Sequence, residues 1–153
     1  MEKKNTTLAS LGKGLELYLT LAAGDTYEWA PCSPLTFNKI KQDNCNMKCG
    51  CKVMSFRDGD SAVKTKVCGR YIVDFQCNAP AASTNAFNIT DNEGNNDYTD
   101  GSVDSTAFAA LYINEDRGTI SIVNVGTAAI VLTGNSTNSL LPVAKLRVTY
   151  EGA

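Results

Sequence analysis

The chain has 153 residues, 43% of them hydrophobic, a formal net charge of −2 and a pI near 5.1. That length supplies the core of a single domain, 1–153, and the acidic balance excludes the clustered Lys and Arg that displace counterions from a nucleic acid. With no histidine, every triad or dyad built on imidazole is excluded, as are His-ligated catalytic metals.

Residues 1–24 have the outline of a signal peptide, Glu2-Lys3-Lys4 ahead of an apolar run. The run is interrupted by Glu16, and Leu15, Leu17, Leu19 and Leu21 alternate with Glu16, Tyr18 and Thr20 as a half-buried strand does. A strand is therefore expected here, with both chain ends held by neighbours in an assembly. No segment reaches the roughly 18 apolar residues of a membrane span. Tyr27 and Trp29 alternate next, and two such rings on one face could stack on a sugar or line an interface, although the lone Trp of a sandwich more commonly packs inside it. Residues 38–45 could hold one helical turn.

Between Asn44 and Cys77 the sequence crowds Cys45, Cys49 and Cys51 ahead of an Asp58-Gly59 pair. Asp-Gly between alternating apolar residues is a strong hairpin signal, because both residues tolerate positive φ. A two-residue turn would pair Arg57 with Asp60, Met54 with Val63, Lys52 with Thr65 and Cys51 with Lys66, and would bring Cys49 opposite Cys68. From Ala62 to Cys77 one parity holds: Val63, Thr65, Val67, Tyr71, Val73 and Phe75 share a face, which predicts one long strand bent at Gly69.

Residues 91–104 form a polar stretch with five acidic side chains and no basic one. Its oxygens suit a hard cation, but an EF-hand register with Gly101 at the sixth place puts Tyr98 and Ala107 at ligand positions, so a solvated turn is expected. Later strands are predicted at 106–113, 119–125, 128–133 and 143–150, with residues 105–111 ambiguous between strand and helix. Short strands at intervals of about 8 to 12 residues predict an all-β protein, a single antiparallel β-sandwich of jelly-roll or Ig-like type with little or no helix.

The cluster Cys45, Cys49, Cys51 and Cys68 is the one constellation with chemistry, and three readings stand open: a structural Cys₄ zinc site, disulfides such as Cys49 or Cys51 with Cys68, or buried thiols. Sequons at Asn5, Asn88 and Asn135 would accept glycans in a secretory pathway. The carboxylates Asp97 with Asp100 and Glu115 with Asp116 lie in polar turns that lack the burial needed to raise an acid's pKa. No enzyme, no catalytic residue, no cofactor and no small-molecule substrate are expected. Residues 1–77 carry 11 Lys and Arg against 8 Asp and Glu, and residues 78–153 carry 3 against 8. Such halves, +3 and −5, could orient neighbouring copies.

Lys13-Gly14-Leu15-Glu16-Leu17-Tyr18-Leu19, leading into Gly24-Asp25-Thr26-Tyr27-Glu28-Trp29, resembles the first strand and hairpin of small tailed-bacteriophage virion proteins. Residues 143–152 resemble a closing strand of the same kind. The resemblance implies an auxiliary or decoration protein that binds and stabilises the major capsid lattice, with the major capsid protein or copies of itself as partners. A tail-tube or head-fibre-associated subunit and an extracellular carbohydrate-binding module using Tyr27 and Trp29 are the alternatives.

Overall fold

The computed structural model describes residues 13–47, 51–80, 86–91, 106–113, 118–135 and 141–152. Among them are eleven strands, all paired antiparallel, and no helix. They are β1 Gly14–Leu19, β2 Thr26–Trp29, β3 Lys39–Asn44, β4 Met54–Ser55, β5 Val63–Thr65, β6 Gly69–Cys77, β7 Phe87–Asp91, β8 Thr106–Ile113, β9 Gly118–Asn124, β10 Ile130–Thr133 and β11 Ala144–Gly152. A five-stranded sheet runs β3-β1-β11-β6-β8, a four-stranded sheet runs β4-β5-β9-β7, and β10 pairs with β2. The nested pairing of β1 with β11, β2 with β10 and β6 with β8 is the wrapping of a jelly-roll sandwich.

Period-two alternation builds the core. Leu15, Leu17 and Leu19 of β1, Leu146, Val148 and Tyr150 of β11, Tyr71, Val73 and Phe75 of β6, and Ala107, Ala109, Leu111 and Ile113 of β8 all point inward from the five-stranded sheet. Phe87, Ile89, Ile120, Ile122 and Val63 meet them from the other. The buried amide of Asn124 is satisfied: its Nδ2 donates to the carbonyls of Trp29 (2.9 Å) and Ala128 (3.1 Å), and its Oδ1 accepts from Gly126 N–H.

Three local expectations are corrected. First, residues 62–77 are two strands in different sheets, because β5 pairs with β4 and β9 whereas β6 pairs with β11 and β8. The chain crosses between sheets just before Gly69, at φ 145°. Parity survives the crossing because both sheets face the same core. Second, the turn at Asp58-Gly59 forms, with Gly59 at φ 90° and Asp60 N–H donating to Arg57 C=O at 2.9 Å, but the ladder pairs Met54 with Thr65 and Ser55 with Lys64. That is two residues away from the tight-turn register. The cause is Phe37, whose carbonyl accepts from Gly59 N–H (2.7 Å) and whose N–H donates to Asp60 C=O (3.1 Å), so a third segment takes backbone groups at the loop. Third, residues 39–44 are the edge strand β3 and residues 106–113 are strand β8, in place of any helical turn.

Two substitutions test this packing. Gly69→Ala should destabilise by more than about 2 kcal/mol in denaturant unfolding, because the residue has positive φ and a Cβ there would lie 2.5 Å from Gly152 O and 2.7 Å from the Tyr150 ring. Thr65 is fully buried and its hydroxyl finds no hydrogen-bond partner among the described residues. Thr65→Val keeps the shape and removes that desolvated hydroxyl, so it should stabilise by about 1 kcal/mol in the same measurement.

Candidate functional site

The residues that alternate with the core on β1, β11, β6 and β8 form one broad outward face. The strand registers arrange them in cross-strand rows. One row reads Gln42, Glu16, Arg147, Asp74 and Phe108. On one side of it lies Asn44, Gly14, Thr149, Ile72 and Ala110, and on the other Tyr18, Lys145, Gln76 and Thr106. Tyr112 follows on β8, opposite Arg70.

Charge is matched across this face. Glu16 receives Lys145 Nζ at 3.2 Å and Arg147 at 3.6 Å, and the Tyr18 hydroxyl donates to it at 3.3 Å. Its carboxylate points outward from its strand yet is only 8% exposed. Burial pushes its pKa up, but the hydrogen bond and charge of Lys145, then Tyr18 and Arg147, outweigh this and hold it below the usual range. Further along β6 and β11, Arg70 and Glu151 pair at 3.6 Å. Away from these charges, towards the β8 edge, the surface turns apolar: Phe108 is 56% exposed and Tyr112 60%, with Ala110 between them.

Two shallow depressions flank the Arg147 side chain. One, of about 240 Å³, is lined by Gly14, Glu16, Gln42, Asn44 and Thr149 among others, and the other, of about 130 Å³, by Asp74, Gln76, Lys145 and Arg147. Both are polar and open. The arrangement suits contact with another surface through paired charges and an aromatic stripe.

No known family and no curated protein matches the sequence. Solved structures do match. PRD1 vertex protein P5 superposes with a TM-score of 0.54 at 12% identity, covering 92% of this chain and 97% of that one. Eiger TNF from S. frugiperda gives 0.56 at 12% identity with 92% of each chain covered, and murine APRIL at pH 8.5 gives 0.51 at 11% identity over 90% and 98%. The chain shares their β-sandwich fold.

Against this face, the residues singled out from sequence lie elsewhere. Trp29 is 1% exposed, stacked on Phe87 at 5.5 Å and edge-on to Phe75 at 6.1 Å, and its Nε1 donates to Ser33 C=O at 2.8 Å. Tyr27 is half-buried and its hydroxyl accepts from Thr36 at 3.1 Å. The two rings therefore present no exposed aromatic platform. Cys45 is fully buried. Burial, with Asp43 adding to it, pushes its thiol up to about 12, and Sγ donates to Gly14 C=O at 3.3 Å. Among the described residues no group of three Cys, Asp or Glu is placed to hold a metal. Cys51 and Cys68 are exposed, and no disulfide joins the described cysteines. Cys49, the acidic stretch 92–104, Glu115 with Asp116, and Asn5 lie outside the described residues.

The expected separation of a basic and an acidic half is also changed by the topology. β11 lies between β1 and β6, and β9 between β5 and β7, so the two halves of the chain interleave in each sheet. Sequence reasoning treated Glu16 only as a break in an apolar run. Its outward parity was visible, but its basic partners lie about 130 residues away, and no local signal specifies that β1 pairs with β11.

Glu16 gives the face a pH signature. A carboxylate whose folded pKa is depressed contributes stability that is present above its unfolded value and is lost as pH falls through the folded one. Glu16→Gln should therefore cost about 1–2 kcal/mol at neutral pH, and the difference from the parent should vanish in acid, as read by urea unfolding across pH 7 to 2.

Proposed function

We propose that this chain is a non-enzymatic structural protein of a virion, an auxiliary or decoration protein that binds the major capsid lattice through the outward face of its five-stranded sheet. The observation that carries the reading is that face itself: matched charges around Glu16 and Arg147, grading into the exposed rings of Phe108 and Tyr112. Aromatic anchors beside polar groups are the composition of protein contacts. The reading is supported by the likeness of residues 13–29 and 143–152 to virion proteins, and by PRD1 vertex protein P5 among the similar folds. Repetition over a lattice multiplies modest contacts, so one copy needs only a standard interface.

Co-sedimentation with purified particles of the virus that encodes the chain, stripped of accessory proteins, tests this. The parent protein should pellet with the particles, and Phe108→Ser with Tyr112→Ser should weaken binding by about tenfold or more while leaving the unfolding midpoint nearly unchanged, since both rings are already in water. Failure to pellet, together with specific binding on a glycan array, would overturn the reading in favour of an extracellular carbohydrate-binding module.

A further inference from the structure

Arg147 stands at the centre of the outward face, because β11 is the middle strand of the order β3-β1-β11-β6-β8. Its side chain is 58% exposed, and Nη2 lies 3.6 Å from Glu16 Oε2, beyond hydrogen-bond length. Lys145 and the Tyr18 hydroxyl sit closer to the same carboxylate, at 3.2 and 3.3 Å. Glu16 thus has nearer partners, and the guanidinium donates no hydrogen bond to an acceptor among the described residues. Asp74, opposite Arg147 in the β6/β11 ladder, faces the smaller depression on the far side. The larger depression has a structural cause. In the row Asn44, Gly14, Thr149 the middle position has no side chain, so the surface drops between its neighbours. A Cβ at Gly14 would lie 2.6 Å from Val148 O, which keeps the position a glycine and the hollow open. Arg147, Gln42 and Thr149 wall it, and the last two side chains make no hydrogen bond among the described residues. Glu16 borders it as well, nearly buried and faced by two cations, which leaves the hollow locally positive.

We propose that Arg147 is the polar anchor of the partner contact, and that the hollow over Gly14 admits an Asp or Glu side chain of the major capsid subunit. The inference rests on the capsid role proposed above and names the chemistry of the partner at that face. The guanidinium fork donates both of its parallel N–H groups to the incoming carboxylate, and the Gln42 amide and Thr149 hydroxyl donate from the walls. Arg at the centre of a contact, ringed by groups that exclude water once the surfaces meet, is the usual setting of a residue that dominates binding. Phe108 and Tyr112 supply the apolar part of the same contact at its β8 margin.

Titrating stripped particles with the parent protein and its variants tests this. Arg147→Ala should weaken binding by about thirtyfold or more, and Arg147→Lys, which keeps the charge and lacks the fork, by about tenfold. Thr149→Phe should weaken it by filling the hollow. Unfolding midpoints should stay near that of the parent, because both positions face outward and Glu16 keeps Lys145 and Tyr18; where one midpoint falls, the other variants carry the comparison. Treating the complex of the Arg147→Lys variant with a carbodiimide, which joins an amine to a carboxylate, should link the peptide containing position 147 to an Asp or Glu of the capsid subunit. Parent-like binding by Arg147→Ala and Thr149→Phe, or weakened binding without that link, would overturn the inference. If the parent pellets and Phe108→Ser with Tyr112→Ser weakens it while the Arg147 and Thr149 variants do not, the capsid role stands and this inference falls. If the parent does not pellet, both fall.

Discussion

The sandwich depends on one crossing, the passage of the chain from the four-stranded to the five-stranded sheet between Thr65 and Gly69. A backbone leaving one sheet for another gives up ladder hydrogen bonds, and buried peptide groups without partners are costly. Two tyrosines supply the missing donors. Tyr71 offers its hydroxyl to the carbonyls of Val67 and Val53, and Tyr150 offers its own to that of Cys68. Their rings lie 5.1 Å apart and close the core beneath the crossing. Gly69 is required there because Gly152 and the Tyr150 ring already occupy the space a Cβ would need. Burial, the leading cause, raises the pKa of both phenols, so both remain neutral donors.

From this crossing follows the position of β11. With β6 delivered into the five-stranded sheet, β11 is flanked by β6 and β1, and its alternation is read on two sides at once. Leu146 and Val148 face the core while Lys145 and Arg147 stand between the carboxylates of Glu16 and Asp74. Basic residues near the end of the chain thus meet acidic residues from its first half. The charge imbalance along the sequence is absorbed within the sheet, and the outward face becomes locally balanced with an apolar margin at β8.

What could be read from the sequence follows the range of the interactions involved. Alternation is local, so the inward faces of residues 15–19, 63–75 and 144–150 were legible before any pairing was known, as was the positive φ at Gly59. Register is less local. The Asp58-Gly59 turn was legible, but the claim of Phe37 on its backbone was not, because Phe37 lies about 20 residues upstream and nothing in its own neighbourhood points to the loop. The two-residue displacement that results preserves every facing and changes every partner. That is why the turn was foreseen while the partners across the hairpin shifted, Met54 facing Thr65 in place of Val63. Trp29 and Tyr27 illustrate the same limit, since alternate parity placed them on one face, and only the arrival of Phe75 and Phe87 makes that face the core.

The division between core and outward rows also explains why the architecture alone does not name a partner. PRD1 vertex protein P5, Eiger TNF and murine APRIL share this sandwich at 11–12% identity, a level at which the inward alternation can be kept while the outward residues are replaced. Core positions answer to packing and to the crossing at Gly69, and they are satisfied by many sequences. Of the outward residues of β1, β11, β6 and β8, Glu16 is held by Lys145, Arg147 and Tyr18, and Arg70 pairs with Glu151. Phe108 and Tyr112 keep more than half of their surface in water, at a cost that folding does not require. Two aromatic rings spaced along one edge strand beside a charge-matched field are what the core does not dictate, and they are the residues on which the proposed partner contact rests.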